Sequence, residues 1–318
     1  MATTEPTAMT HQILFSSDLD DPLAWAAAVA RLRPDIEVVD WRNVKDPASI
    51  PFALMWKPPP GGLGAYGGLK GIQSLGAGIN QLNLAELPAG VPLARLIDDS
   101  LTETMTDYAL AAVYRHYRAF DHFERQTRAR LWDYQPALRK ADFPIGVMGI
   151  GVLGGAIAAQ LRALGFTVSG WSRSRREIEG VTCFAGTGEL PDFLAASRLI
   201  VNVLALTPET AGILGAGAFA LMPKGSFIVN IGRGGHLVEA DLVAAIDAGQ
   251  IAGATLDVFS SEPLPVEHPI YSRPEILTTP HVAGAISPDT AARTVIANFD
   301  RALKGEPLLN AVDLARGY

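Results

Sequence analysis

The sequence predicts an α/β fold made of two doubly wound parallel-sheet domains. Three observations carry that prediction: a length of 318 residues, short apolar runs alternating with helical segments, and a glycine-rich turn between one such run and a helix. A chain this long exceeds the usual single domain, and each half can bury a core without a covalent staple. Runs that are apolar at consecutive positions suit parallel strands covered by helices on both faces.

In the first third the runs fall at 12–15, 36–41, 52–56 and 72–75. The Pro- and Gly-rich stretch 58–68 predicts a surface loop, a mobile one near the site. A long helix is predicted over 104–131, with Met105, Tyr108, Ala109, Ala112, Val113 and Tyr117 as its apolar stripe and Arg125, Arg128 and Arg130 at its polar end. The strand rhythm resumes at 145–149, 167–171, 199–203, 227–230 and 254–256. The last helix opens at Ser287 with Pro288 in its first turn and runs to about Lys304. No strand follows it at once, so it is expected to pack back on the first domain. The expected domains are 1–104 joined with 285–318, discontinuous in sequence, and 105–284.

Composition excludes several classes of function. A net charge of -7 sets the overall field against phosphate backbones and anionic lipid headgroups, so neither nucleic acid nor a membrane surface is expected as a partner. A small anionic substrate would need its own local cation. The single cysteine, Cys183, allows no internal disulfide and no cysteine metal cluster, and no metal site is expected. Residues 1–10 are Thr-rich and polar, without the basic and apolar regions of a signal peptide, and read as a disordered extension. The weakly charged stretch 143–161 approaches the length of a membrane span, but its glycines at 146, 149, 151, 154 and 155 argue for strand, turn and buried helix. The expected location is the cytoplasm.

The strand at 145 leads into Gly149-Ile150-Gly151-Val152-Leu153-Gly154 and then a helix. In that setting the first Gly permits the tight turn, the second lets backbone approach a pyrophosphate, and the third allows close packing of helix on strand. Unpaired N–H groups at the helix start, around Val152 and Leu153, then face the phosphates. The next strand ends in Ser172-Arg173-Ser174-Arg175-Arg176, where an NAD site would carry an acidic residue. A carboxylate there would repel a 2′-phosphate; Ser172 and Ser174 can hydrogen-bond it and Arg173 or Arg175 can pair with it, so NADP, as NADPH, is expected over NAD. Leu204, Ala205, Leu206 and Pro208 follow another strand end and read as a wall of the cofactor site. Asp257 ends a later strand, where it either accepts a hydrogen bond from the nicotinamide carboxamide or caps a turn.

Reduction of a keto acid needs a hydride donor, a proton donor and a cation for the carboxylate. Candidates for the last two follow the cofactor motif: Arg233 in Asn230-Ile231-Gly232-Arg233-Gly234-Gly235, Glu262 in Asp257-Val258-Phe259-Ser260-Ser261-Glu262-Pro263-Leu264, and His281 in Thr279-Pro280-His281-Val282-Ala283-Gly284. With these residues the chain resembles the D-2-hydroxy-acid dehydrogenase family, and within it the glyoxylate/hydroxypyruvate reductase A branch. The resemblance extends over Trp56-Lys57-Pro58-Pro59, Leu75-Gly76-Ala77-Gly78, Trp171-Ser172-Arg173, Phe184-Ala185-Gly186 and Asp313-Leu314-Ala315-Arg316-Gly317-Tyr318.

The resemblance implies a flavodoxin-like substrate domain and a Rossmann cofactor domain, with the active site in the cleft between them. It implies that protonated His281 gives its proton to the keto oxygen, that Glu262 orients the imidazole and favours its charged form, and that Arg233 binds the carboxylate and polarises the carbonyl. Ile231, Gly232, Arg233 and His281 would also line the cofactor. Backbone N–H groups of Gly76, Ala77 and Gly78 would hold the other side of the carboxylate. Trp56 and Trp132 either close a small pocket over the substrate, Trp132 from a second subunit, or belong to the core. The other histidines, at 11, 116, 122, 236 and 268, read as ordinary surface residues. A homodimer follows from the resemblance alone. Two alternatives stay open: the same chemistry on a bulkier 2-keto acid such as phenylpyruvate, and a dinucleotide-sensing binding module of the corepressor type.

Overall fold

The computed structural model describes residues 11–313; the predicted N-terminal extension and residues 314–318 of the terminal motif lie outside the described residues. The chain divides into two compact units, one formed by residues up to Leu101 together with those from Ile286 onward, the other by Thr102–Ala285.

The first unit contains β1 (His11–Ser16), α1 (Pro22–Leu32), β2 (Ile36–Asp40), β3 (Phe52–Met55), β4 (Gly71–Ser74), β5 (Leu93–Ala94) and the C-terminal helix Pro288–Lys304. Its strands are all parallel, in the order β2-β1-β3-β4-β5, which is the flavodoxin-like order. The consecutive apolar positions are explained by the alternation of side chains across a strand. Ile13, Phe15, Phe52 and Leu54 meet Trp25 and Val29 of α1 and Ala291, Val295 and Phe299 of the C-terminal helix. Leu14, Ala53, Met55 and Ile72 point the other way, onto Leu63, Tyr66, Leu69, Ile79 and Leu82. Stretch 58–68 is therefore no free surface loop: Leu63 and Tyr66 are buried and act as a lid on the sheet where a doubly wound fold would place a helix. Buried Asn298 fixes the C-terminal helix, donating to Gln73 Oε1 at 2.6 Å and accepting the Leu309 N–H at 2.7 Å.

The second unit takes α2 (Asp99–Tyr117) from Thr102 onward and continues with α3 (Phe120–Ala129), β6 (Ile145–Met148), α4 (Val152–Ala163), β7 (Val168–Ser172), β8 (Thr182–Ala185), α5 (Leu190–Ala195), β9 (Leu199–Asn202), α6 (Ala216–Leu221), β10 (Ser226–Asn230), α7 (Glu239–Asp247), β11 (Ile251–Leu256) and β12 (Ile276–Thr278). Its parallel strands are ordered β12-β11-β10-β9-β6-β7-β8, with β6 between β9 and β7. Strand order reverses at β6, so the loops after β6 and β9 diverge there at the carboxyl edge, the place where open α/β sheets bind ligands.

The single helix predicted over 104–131 is two. It starts earlier, where Asp98 accepts the Leu101 N–H, and it breaks at Ala119, which adopts a left-handed conformation (φ 55°) and redirects the chain. The redirection buries Asp121 beside Arg125 and His116, the latter stacked on Phe227 and bonded to Thr255. His116 and His236, expected at the surface, are both buried: His116 bonds to Thr255 on a strand distant in sequence, and His236 folds back onto the backbone of Arg233 three residues before it.

Candidate active site

The glycine motif acts through space that a side chain would occupy. Gly149 (φ 103°) lies where a Cβ would come within 2.9 Å of the Leu204 N–H and the Val203 carbonyl carbon, so the turn after β6 sits directly against the loop after β9. At Gly154 a Cβ would fall 2.1 Å from the Gly149 oxygen, which forces a glycine where α4 crosses the turn. Around Gly151, by contrast, a Cβ would meet nothing within 4 Å, and no side chain caps the N-terminus of α4. Open approach to uncapped N–H groups of Val152, Leu153 and Gly154 is what a pyrophosphate requires. The donor set therefore fits a dinucleotide.

Beside it, β7 ends at Ser172, whose hydroxyl donates to the Ser174 carbonyl at 2.8 Å. Arg175 does not stand ready for a phosphate: it pairs with Glu189 and donates to the Cys183 carbonyl at 2.9 Å, while Glu189 also accepts the Ala185 N–H. Its visible work is to tie β8 to its following turn. Leu204, Ala205 and Leu206 are half-buried after β9 and Pro208 is exposed. Their loop is shaped by Thr210, whose hydroxyl donates to the Ala205 carbonyl and accepts the Thr207 N–H, both at 2.8 Å.

Three loops on neighbouring strand ends carry the predicted catalytic side chains, and glycines lock them together. His281 Nδ1 lies 2.8 Å from Glu262 Oε2, and Glu262 Oε1 accepts the Phe259 N–H at 2.8 Å, so both carboxylate oxygens are engaged. Burial pushes the Glu262 carboxyl up, but the bonds from His281 and Phe259 and the charge of Arg233 outweigh it and hold the carboxyl below its ordinary range. Arg233 follows β10, its guanidinium donating to the Gly232 carbonyl at 2.7 Å. Burial pushes that guanidinium down against the opposing pull of Glu262, as expected of a half-buried cation that has lost part of its water. At Gly234 a Cβ would lie 1.9 Å from the Phe259 carbonyl carbon, so the Arg233 loop rests on the backbone of the Glu262 loop. Gly232 is pressed against Asn202 and His236, and Gly235 against Leu206.

Of the two roles read for Asp257, the structure shows the cap. Its buried carboxylate accepts from the Thr279 hydroxyl at 2.5 Å, the Val282 N–H at 2.9 Å and the Ala283 N–H at 2.9 Å. These donors come from the loop bearing His281, so Asp257 caps that loop. The capping has a purpose, because His281 itself adopts a left-handed backbone (φ 56°), a conformation that an L side chain takes only when its surroundings enforce it. Tyr108 of α2 extends the chain of bonds, meeting the Thr279 hydroxyl at 2.5 Å, and burial pushes its phenol up to about 12.

Sequence reading missed the polar layer beneath these loops. Asn202 and Asn230, both buried, are joined by a 2.9 Å bond between Asn202 Nδ2 and Asn230 Oδ1. Asn202 also accepts the Leu204 N–H, and Asn230 accepts the Gly232 N–H and donates to the Arg233 carbonyl. An asparagine closing each of two adjacent apolar strands, β9 and β10, is the signal that could have revealed them.

In the first unit, Trp56 is half-buried on the core, and a Cβ at Gly76 would meet its ring at 2.9 Å. The Gly76 N–H reaches the Ser74 hydroxyl at 3.3 Å, whereas those of Ala77 and Gly78 find no acceptor among the described residues. Trp132 belongs to no core: it is fully exposed, between exposed Leu131 and Tyr134.

A family model described as the D-isomer specific 2-hydroxyacid dehydrogenase NAD binding domain matches residues 110–283. The chain is similar to a protein of Yersinia enterocolitica named glyoxylate/hydroxypyruvate reductase A, 40% identical over 312 residues that cover 96% of this chain and 99% of the relative. Among solved structures, it is similar to a D-isomer specific 2-hydroxyacid dehydrogenase from Xanthobacter autotrophicus Py2 in complex with NADPH and MES, with a TM-score of 0.92, 40% identity and coverage of 97% and 100% of the two chains. It is also similar to an NADPH-dependent glyoxylate/hydroxypyruvate reductase from Sinorhizobium meliloti in complex with NADP and sulfate, with a TM-score of 0.90, 35% identity and coverage of 97% and 100%. The strand orders of both units, the loop that fits a dinucleotide and the His281–Glu262 pair agree with these matches, and the chain belongs to the D-isomer specific 2-hydroxyacid dehydrogenase family.

Proposed function

We propose that this chain reduces glyoxylate and hydroxypyruvate to the corresponding 2-hydroxy acids, the D isomer where a stereocentre forms, using NADPH. The observation that carries the reading is the 2.8 Å bond between His281 Nδ1 and Glu262 Oε2, with the partly dehydrated Arg233 on the adjoining loop of the same unit. Glu262 accepts a hydrogen bond from the Nδ1–H and fixes the ring, so the proton that leaves is the one on Nε2. His281 gives that proton to the keto oxygen and becomes neutral. When bound, the reduced nicotinamide supplies the hydride for the carbonyl carbon. Arg233 pairs with the carboxylate and stabilises negative charge on the oxygen before the proton arrives. Gly149, Gly151, Val152, Leu153 and Gly154 would hold the pyrophosphate, Ser172, Ser174 and Arg173 the 2′-phosphate, and Leu204 to Leu206, Pro208, Ile231 and Gly232 the adjoining walls. Trp56 and the N–H groups of Ala77 and Gly78 would receive the substrate.

A homodimer is part of the proposal, supported by exposed Leu131, Trp132 and Tyr134, apolar surface of a kind a partner subunit covers. Placement in the cytoplasm is supported by the lone, unpaired Cys183. Among the described residues no helix is long and apolar enough to cross a membrane.

The test is NADPH oxidation against glyoxylate, hydroxypyruvate, pyruvate and phenylpyruvate, with NADH as control. The highest kcat/KM is expected for the first two with NADPH. A higher value for phenylpyruvate would reassign the substrate, and binding of NADPH without turnover of any keto acid would overturn the enzymatic reading.

A further inference from the structure

The reading of Arg233 as the substrate's cation leaves open what holds Arg233 itself. The side chain donates to the carbonyl of its own neighbour, so its aim depends on how the backbone at 232–234 is fixed. Three groups converge there. Gly234 rests on the Phe259 carbonyl, Asn230 donates to the Arg233 carbonyl at 3.1 Å, and His236 Nδ1 lies 3.1 Å from the Arg233 nitrogen and 3.1 Å from its oxygen.

His236 is wholly buried, and Gly232 is packed against its ring: a Cβ at Gly232 would fall 3.1 Å from Nδ1 and 3.2 Å from Cε1. A ring nitrogen is either a donor or an acceptor, and the surroundings choose. The Arg233 oxygen already receives the Asn230 amide, whereas the Arg233 N–H has no acceptor other than His236 among the described residues. A buried N–H without an acceptor is costly, so Nδ1 carries the lone pair and Nε2 the hydrogen. Nε2 is buried without a well-aligned partner among the described residues, and the Ala205 backbone is among the groups acting on the ring.

We infer that His236 is a positioning residue for the proposed reaction: a buried neutral imidazole whose Nδ1 accepts the Arg233 N–H and so sets the aim of the guanidinium at the keto acid. The inference rests on the reading of Arg233 as carboxylate clamp. Two features agree with a neutral ring. Burial pushes the imidazole down, the Ala205 and Arg233 carbonyls pull it up by less, and the Arg233 charge pushes it down again. Among the described residues no carboxylate acts on it.

The test compares His236→Leu, which fills the space without an acceptor, with His236→Asn, whose side-chain oxygen can stand where Nδ1 stood, and with Arg233→Ala. Keto-acid kcat and KM are measured alongside NADPH affinity by fluorescence. His236→Leu is expected to lower kcat/KM for glyoxylate by about tenfold or more, mainly through KM, with NADPH affinity within about twofold of the parent. His236→Asn is expected to recover most of that loss. Equal losses in both variants, or an unchanged KM in His236→Leu, would overturn the inference. If Arg233→Ala leaves KM unchanged, the clamp reading fails instead, whatever the histidine variants do. The unaltered protein gives a second readout that needs no folded variant. Nitrogen NMR of His236 should report a hydrogen on Nε2 and an unprotonated Nδ1 at neutral pH, and a doubly protonated ring there would overturn the inference.

Discussion

Gly234 offers the sharpest test of how the site is assembled. Its conformation is open to any residue, so the constraint is contact alone: a Cβ added there would sit 1.9 Å from the Phe259 carbonyl carbon, 2.1 Å from its oxygen and 2.4 Å from the Ser260 nitrogen. All three are backbone atoms that cannot rotate away. Restoring even a tight contact of about 3 Å requires the Arg233 and Glu262 loops to separate by roughly 1 Å, and a displacement of that size at reacting groups costs about a hundredfold in rate. Overpacking a rigid junction also destabilises by about 1–3 kcal/mol. Gly234→Ala should therefore lower kcat/KM for glyoxylate about a hundredfold while the protein stays folded, with thermal unfolding a few degrees lower. Activity within threefold of the parent would refute the claim that glycine at 234 sets the distance between the two loops.

Four further outcomes are expected. His281→Ala should reduce kcat by about a hundredfold to ten-thousandfold with NADPH affinity nearly intact, and retained turnover would remove it from the role of acid. Arg173→Gln should weaken NADPH at least tenfold more than NADH, whereas Arg175→Gln, which loses Glu189 and the Cys183 carbonyl, should show mainly in thermal stability; equal effects on both cofactors in Arg173→Gln would mean that the basic turn is merely solvated. Because Glu262 is held below its ordinary value of 4.5, its contribution to stability is complete above that pH and lost as pH falls through the lower folded value, so Glu262→Gln should flatten the acid limb of a stability profile; an unchanged limb counts against the coupling. Asp257→Ala strands the buried Ala283 N–H at a cost of about 1–3 kcal/mol and frees His281 from its left-handed backbone, so unfolding temperature and kcat should fall together, and a loss of NADPH affinity alone would restore Asp257 to the cofactor.

The parts legible in the sequence were those written in local pattern. Runs such as Phe52 to Met55 are buried on both faces and so must be apolar at every position, and Gly154 answers a steric demand within one turn, set by the Gly149 oxygen. The strands that escaped are too short or too exposed to carry such a pattern: β5 has two residues, β12 has three, and Thr182–Ala185 of β8 is an edge segment half open to solvent. The helix break at Ala119 also left no mark, since alanine favours continuation and only the burial of Asp121 against Arg125 and His116 explains the turn. Arg233, Glu262 and His281 could be chosen by residue type and by resemblance. What holds them could not, because Asn202 against Asn230, Asp257 against the His281 loop and Gly234 against Phe259 are contacts between segments that meet only in three dimensions.

The first unit is split by the second, and that has a consequence for how the protein is made. Strands β1 to β5 leave the ribosome early, yet Ala291, Val295 and Phe299, which seal one face of their sheet, are translated only after the intervening roughly 180 residues, about ten to forty seconds later at ordinary elongation rates. During that interval Ile13, Phe15, Phe52 and Leu54 have only α1 over them and lack the rest of their cover, while the later unit already has every strand it needs. A nascent chain arrested before Pro288 should therefore hold a protease-resistant carboxyl-terminal half and a degradable amino-terminal one, inverting the vectorial order in which domains usually mature.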